Sequence, residues 1–310
     1  MEQASVRSTA GNMRRAARSR LARPAPSDIV LRVYFFFVAL IMLFPMYNVI
    51  IISIADFRDV SSSPLFLFPH RLDFSTYGLL FQDATVPRAF LVSLIVTLGG
   101  TAVSMLCTTG AAYALSKKHL PGRKLLLAII LFTMYFGGGI IPLYLVIKGL
   151  GLRDSLLALI LPSAVNTFYL VIMRNYFTTL PPSLEESARM DGANDLTILW
   201  RIILPISLPI LATIGLFYAV DRWNEYFNAL LFLSEPRLNP LQIVLRNMLV
   251  NLNMTLSSSM AVALSQRSRP VYPMSMRMAI IVITTVPILC VYPFVQRYFV
   301  SGLLLGSIKE

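Results

Sequence analysis

Charge is scarce in this chain. Of its 310 residues 14% are Asp, Glu, Lys or Arg, against about 25% in an ordinary soluble domain. The deficit excludes a conventional water-facing surface and points to one that mostly meets lipid, in keeping with a mean hydropathy of +0.69. Cysteine is nearly absent: Cys107 and Cys290 both lie in apolar runs, so neither a disulfide framework nor a thiolate metal cluster can be built. There are two histidines, His70 and His119, and no His-Glu-x-x-His pattern. No Gly-x-x-x-x-Gly-Lys-Ser/Thr segment offers a phosphate cradle, and no Ser, Cys or carboxylate stands beside an evident base. These absences speak against catalysis and against a bound cofactor or metal in this chain.

Long apolar runs are what the sequence does have. Six stretches carry no charge: 33–55, 89–116, 125–147, 155–173, 202–220 and 278–296. Each approaches the roughly 20 residues that cross a hydrocarbon core of about 30 Å. A seventh uncharged stretch, 247–266, is rich in Asn and Ser and is expected to be a loop. The prediction is an all-α integral membrane fold of six transmembrane helices, with no attached soluble domain. A basic tail (1–28) precedes a six-helix transmembrane domain (29–310). Six arginines in that tail give it a net positive charge, which places both termini in the cytoplasm by the positive-inside rule. Lys117, Lys118, Arg123 and Lys124, unopposed by any acid, mark a second internal loop. The net charge of +12 is thus read as topology, without nucleic acid as a partner.

One internal loop departs from this pattern. Between about 178 and 205 it carries Glu185, Glu186, Asp191 and Asp195, which the topology does not need. Pro181 and Pro182 stop the preceding helix, and Ser183-Leu184-Glu185-Glu186 has the form of a capping box. Gly192 fits the left-handed position that ends a helix, and Asn194 or Asp195 can cap a second one. The prediction is a helix-turn-helix that lies on the membrane surface or on its own bundle, or serves a partner.

The spacing favours a partner. Glu186-Ser187-Ala188, three residues, Gly192, nine residues and Ile202-Ile203-Leu204-Pro205 resemble the EAA loop of ABC-importer membrane subunits, with Ser187 the one departure. Ala111-Ala112-Tyr113-Ala114-Leu115-Ser116, Pro121-Gly122-Arg123-Lys124, Ile141-Pro142-Leu143-Tyr144 and Trp223-Asn224-Glu225 are similar to segments of sugar permeases. Phe136-Gly137-Gly138-Gly139 and Asn239-Pro240-Leu241-Gln242 resemble a subgroup for oligosaccharides and polysaccharide fragments. The chain is identified as similar to binding-protein-dependent carbohydrate permeases of the maltose-permease second-subunit type, over residues 30–310.

That resemblance implies a type I importer in the bacterial cytoplasmic membrane. Its partners would be a second permease subunit, a cytoplasmic ATPase dimer carrying ATP and Mg, and an extracytoplasmic solute-binding protein. It implies ATPase coupling by Glu185, Glu186, Ala188, Asp191, Gly192, Ala193, Leu204 and Pro205. The external loop at about 234–276 would meet the binding protein or merely cap the bundle.

For the solute pathway, sugars call for aromatic faces beside planar polar groups. Asn166, Tyr218, Arg222, Trp223, Asn224, Glu225 and Asn228 supply both. The alternative is an interfacial aromatic belt with Arg222 paired to Glu225. A non-sugar solute, or a stand-alone secondary carrier, are the other functions considered.

Overall fold

The computed structural model describes residues 26–56, 68–69, 71–82, 84–250 and 273–307, with only the backbone beyond 293. The basic tail up to 25, His70 and the centre of the 234–276 loop lie outside the described residues, as does most of the uncharged stretch 247–266.

The described chain is helical, with no strand and one isolated bridge between Ala55 and Leu72. In order the helices are α1 (Pro26–Ile54), α2 (Ser75–Gln82), α3 (Thr85–Ser116), α4 (Arg123–Tyr135), α5 (Ile140–Gly149), α6 (Leu157–Ile160) and α7 (Thr167–Thr179). They continue with α8 (Ser183–Met190), α9 (Asp195–Ile198), α10 (Leu204–Ile206), α11 (Leu208–Trp223), α12 (Phe227–Phe232), α13 (Leu241–Val250) and α14 (Pro273–Ser307). Helix α3 is the central post, lying against α7 and α11, while α1 packs along α14.

Three of the six expected spans are long apolar helices: α1, α3 and α14. The other three are not continuous. The third breaks between α4 and α5 with a bend of 115°. Gly139 sits at the break with φ 85° and ψ 178°, a region open only to residues without a Cβ. The run Gly137-Gly138-Gly139 therefore makes a bend. The fourth expected span divides into the single turn α6 and helix α7, separated by residues 161–166. The fifth bends by 87° at Ser207, between α10 and α11. With each bent pair taken as one span, five crossings are long and apolar enough among the described residues, where six were expected.

Two cores sit at opposite ends of α3. At one end Ala112 and Tyr113 pack with Met173, Phe177, Ile198 and Ile203. At the other, Val86 and Ala89 pack with Trp223, Leu241, Met248 and Met276. Much of the remaining apolar surface is open. No residue of α4 is buried, and Leu125, Ile129 and Phe132 are all exposed. Such a surface is unstable in water and suits a bilayer or a companion subunit.

Candidate functional site

The elbow after α7 is a helix-turn-helix. Its first helix starts one residue earlier than the capping-box pattern suggests. The amides of Glu185 and Glu186 both donate to the Pro182 carbonyl at 3.0 Å, and Ser183 is already helical without a side-chain cap. Pro182, at φ −62°, is preset for a helix and takes the lead position. The helix ends in a Schellman motif: Ala193 N–H donates to Ala188 O and Gly192 N–H to Arg189 O, both at 3.0 Å. Gly192 has φ 82°. Asn194 caps α9 by accepting from Thr197 N–H at 2.8 Å. Arg189 and Asp195 meet across the turn at 2.7 Å, an exposed pair worth about 0–1 kcal/mol. A π-helical turn, Leu199–Ile203, then leads to Leu204 and Pro205.

The elbow is fixed to the end of α3. Ala188, Ile198, Leu199 and Ile203 are buried with Tyr113 and Phe177, whose rings meet edge to face at 6.3 Å. Lys117 pairs with Glu185, and its ammonium lies 3.8 Å from the Tyr113 ring centroid. Among the residues expected to couple outward, Glu185 and Ala188 thus face their own chain, and Leu204 is half-buried against the same core. Glu186, Asp191, Gly192 and Pro205 are exposed, and Ala193 is half-buried. The exposed face also carries Met190 (87% exposed), Leu196 and Trp200, which the motif did not flag. Large apolar side chains inside a polar loop were the signal for them.

At the opposite end of α11 a cleft of about 740 Å³ opens towards residues 161–166. Of the expected pathway residues, Asn166, Tyr218, Arg222, Asn224 and Glu225 line it. Trp223 and Asn228 do not. Trp223 is buried, donates its indole N–H to Thr284 O at 3.0 Å and meets Phe90 edge to face at 5.8 Å, so it is a core residue. Asn228 donates both its backbone N–H and its Nδ2 to the Glu225 carboxylate at 2.9 Å. Phe168, Asp221, Tyr226 and Phe227 complete the wall.

Arg222 is 4% exposed and makes no ion pair with Glu225, contrary to the i,i+3 alternative. Its Nη1 donates to Leu159 O and Ser163 Oγ, each at 2.6 Å. Its Nη2 is shared among Ser104 Oγ at 3.0 Å, Ile160 O at 3.1 Å and Ser163 O at 2.6 Å. Two of these acceptors are carbonyls of α6, Leu159 and Ile160, and a third is Ser163 O in the segment just after it, so the guanidinium caps a broken helix. A buried unpaired charge is costly unless its donors are satisfied, and here both terminal nitrogens are. They have nothing left for a solute. Tyr218 is fixed likewise: its hydroxyl accepts from Asn166 N–H at 2.9 Å and shares a hydrogen bond with Thr108 Oγ1 at 2.6 Å. Asn166 itself caps α7, its Oδ1 accepting from Phe168 and Tyr169 N–H at 3.0 and 3.3 Å. Exposed on the cleft wall are the aromatic faces of Phe168, Tyr226 and Phe227, Asn224, whose Nδ2 donates to Val220 O at 2.9 Å, and Asp221, whose Oδ2 accepts from Tyr169 Oη at 2.9 Å.

Asp154 ties the short loop before α6 to the segment after α12. Its Oδ1 accepts from Ser234 N–H at 2.5 Å and Glu235 N–H at 3.2 Å, while its own N–H donates to Phe232 O at 3.1 Å. The Ser234 N–H, first among several donors, holds this carboxyl below its usual range. Among the described residues no cluster of His, Cys, Asp and Glu is placed to hold a metal.

No protein-family model matches the chain. It is 43% identical over 284 residues to the polygalacturonan/rhamnogalacturonan transport system permease protein YtcP of Bacillus subtilis, covering 91% of this chain and 98% of that one. It is 42% identical over 273 residues to protein LplC of the same organism, covering 88% and 91%. Among solved structures it resembles a chain of a bacterial ABC transporter involved in the import of the acidic polysaccharide alginate. There the TM-score is 0.83 and the identity 38%, over 89% of this chain and 99% of that chain. With three helices long and apolar enough to cross a bilayer, and two bent pairs besides, the chain is a multi-pass membrane protein.

Proposed function

The chain belongs to the ABC-transporter permease family, and from that membership we propose that it forms half of the pathway of an ATP-driven importer for an oligosaccharide or polysaccharide fragment. It is a transport subunit and not an enzyme. The observation that carries the solute class is the 43% identity, over nearly the full length of both chains, to a permease named for polygalacturonan and rhamnogalacturonan. The cleft supports it: exposed aromatic faces beside Asn224 suit the two sides of a sugar ring.

The partners are a second permease, a pair of ATPases that hold ATP and Mg, and an extracytoplasmic solute-binding protein. The elbow end faces the cytoplasm, with both termini, in the bacterial inner membrane. The exposed Glu186, Asp191, Met190, Leu196 and Trp200 offer the ATPase a mixed polar and apolar face. Because the elbow shares a core with α3, α7 and α11, a displacement there tilts those helices as a body. Along the chain, the bent α10–α11 connection at Ser207 falls between the elbow and the cleft-lining end of α11.

Reconstitution with the companion subunits tests the reading. ATP-dependent uptake of uronic-acid oligosaccharides, or of neutral ones, is expected. Uptake confined to an amino acid or osmolyte, or uptake driven without ATP by an ion gradient, overturns it.

A further inference from the structure

Beside the elbow lies a second cleft, of about 850 Å³, where the end of α3, the start of α4 and the end of α7 meet α8. Its walls carry Lys117, Lys118, Arg123, Arg174 and Arg189 against Glu185 and Glu186. Two of these cations are already neutralised: Lys117 by Glu185 and Arg189 by Asp195. The other three are not. Arg123 and Arg174 each donate Nε to the same oxygen, Leu115 O, at 2.9 and 3.3 Å. Two guanidiniums therefore converge on one carbonyl, and neither has a carboxylate in ion-pair reach among the described residues. The end of helix α3 supplies roughly half a negative charge. That is too little for two half-buried guanidiniums with Lys118 beside them. Arg123 keeps both terminal nitrogens open, and Arg174 keeps Nη2, its Nη1 being held by Asn175 Oδ1 at 2.9 Å.

A forked pair of guanidiniums with open donors is the geometry that grips phosphate. The cleft also stands at the foot of α4, whose exposed Leu125, Ile129 and Phe132 rise from Arg123 without cover from this chain. We propose that Arg123, Arg174 and Lys118 bind the phosphate of an anionic phospholipid headgroup, with the acyl chains along α4. Basic pockets between membrane helices at a bilayer surface recognise such headgroups. The bound phosphate neutralises the pair and ties the α3–α4 hairpin and α7 together at the base of the elbow. The site rests on the membrane-spanning reading, and it does not require ATPase docking.

The test uses the full chain with its companion subunits in bilayers of phosphatidylcholine with graded phosphatidylglycerol. After detergent extraction, native mass spectrometry counts the lipid retained, and the ATPase co-purifying in the same sample is measured. Wild type is expected to retain phosphatidylglycerol over phosphatidylcholine by about tenfold or more. The double variant Arg123→Gln/Arg174→Gln brings the two lipids to parity, while Arg123→Lys/Arg174→Lys keeps most of the preference. Parity in wild type, or a preference untouched in the Gln variant, overturns the proposal. So does release of the lipid by millimolar inorganic phosphate, which makes a free anion the occupant. Loss of the ATPase with lipid retained counts against the coupling reading alone.

Discussion

Arg222 grips Ser163 twice, through Nη1 to Oγ and through Nη2 to the backbone oxygen, both at 2.6 Å. The pair joins α11 to the unwound segment between α6 and α7. It converts a charge in an apolar bundle into a fastener for the wall of the cleft at the end of α11. The guanidinium thus has both terminal nitrogens committed to holding this segment in place.

Replacement of Arg222 by Met leaves the carbonyls of Ile160 and Ser163 without a donor, and Leu159 O with only Ser163 Oγ at 3.5 Å. The loss expected is about 2–6 kcal/mol, at about one to three kcal/mol for each of the two carbonyls left without a donor. Lysine does not rescue it, because one ammonium cannot span acceptors on both Ser104 and Leu159. Thermal stability in detergent and uptake of neutral and acidic oligosaccharides are expected to fall together. Loss of acidic uptake alone, with stability kept, makes Arg222 a solute ligand instead.

Gly100 makes room for this fastener. A Cβ there comes within 3.1 Å of both Cδ and Nε of Arg222. Gly100→Ala is expected to destabilise by about 1–3 kcal/mol through overpacking. In an Arg222→Ala background the same change has a smaller effect, because the clashing Cγ, Cδ and Nε are gone. A double-mutant cycle on melting temperature reads the coupling; strict additivity contradicts the contact.

Gly192→Ala probes the elbow without touching its neighbours. No atom lies within 4 Å of the added Cβ, so the whole effect comes from φ 82°. The expected penalty is about 1–2 kcal/mol. Gly192→Pro is worse, since it removes the N–H that closes on Arg189 O. Both variants are expected to assemble in the membrane yet lose ATP-driven uptake, with Pro below Ala. Normal uptake in both contradicts a mechanical role for the turn.

Acid is expected to loosen the link between Asp154 and Ser234. The carboxyl has its folded value lowered from an ordinary 3.8. Its contribution is therefore complete above that ordinary value and is lost as pH falls through the lower folded one. Hydrogen exchange at the Ser234 and Glu235 amides, corrected for intrinsic rates, should show protection steady above about pH 5 and declining in stronger acid. Asp154→Asn keeps an acceptor oxygen and tolerates the φ of 53°, so its protection should not vary with pH over that window. Equal pH dependence in both proteins assigns the change elsewhere.

Local backbone demands could be read from the residues. Gly192 was legible because few other residues hold a left-handed turn, and Asn194 because a cap needs a short acceptor. The broken spans were not, since counting charges measures hydropathy and says nothing of where a helix bends. Gly139 and Ser207 set those bends through backbone angles, inside runs that stay apolar throughout. Non-local pairings were also hidden. Glu185 read as an outward contact, and its partner Lys117 lies 68 positions away. Trp223 read as a sugar platform by its neighbours Asn224 and Glu225, yet burial turns it into the core beside Phe90. The family was legible throughout, because its spacing from Glu186 to Pro205 is a property of sequence alone.

The central claim is that the elbow takes mechanical work from a separate ATPase. Crosslinking from Met190→Cys, in a chain with Cys107→Ser and Cys290→Ser and within the assembled transporter, tests it most directly. The expected result is an adduct between this chain and the ATPase subunit, with a yield that changes on adding ATP. Adducts only to lipid or within the chain itself, with the ATPase present and active, contradict it.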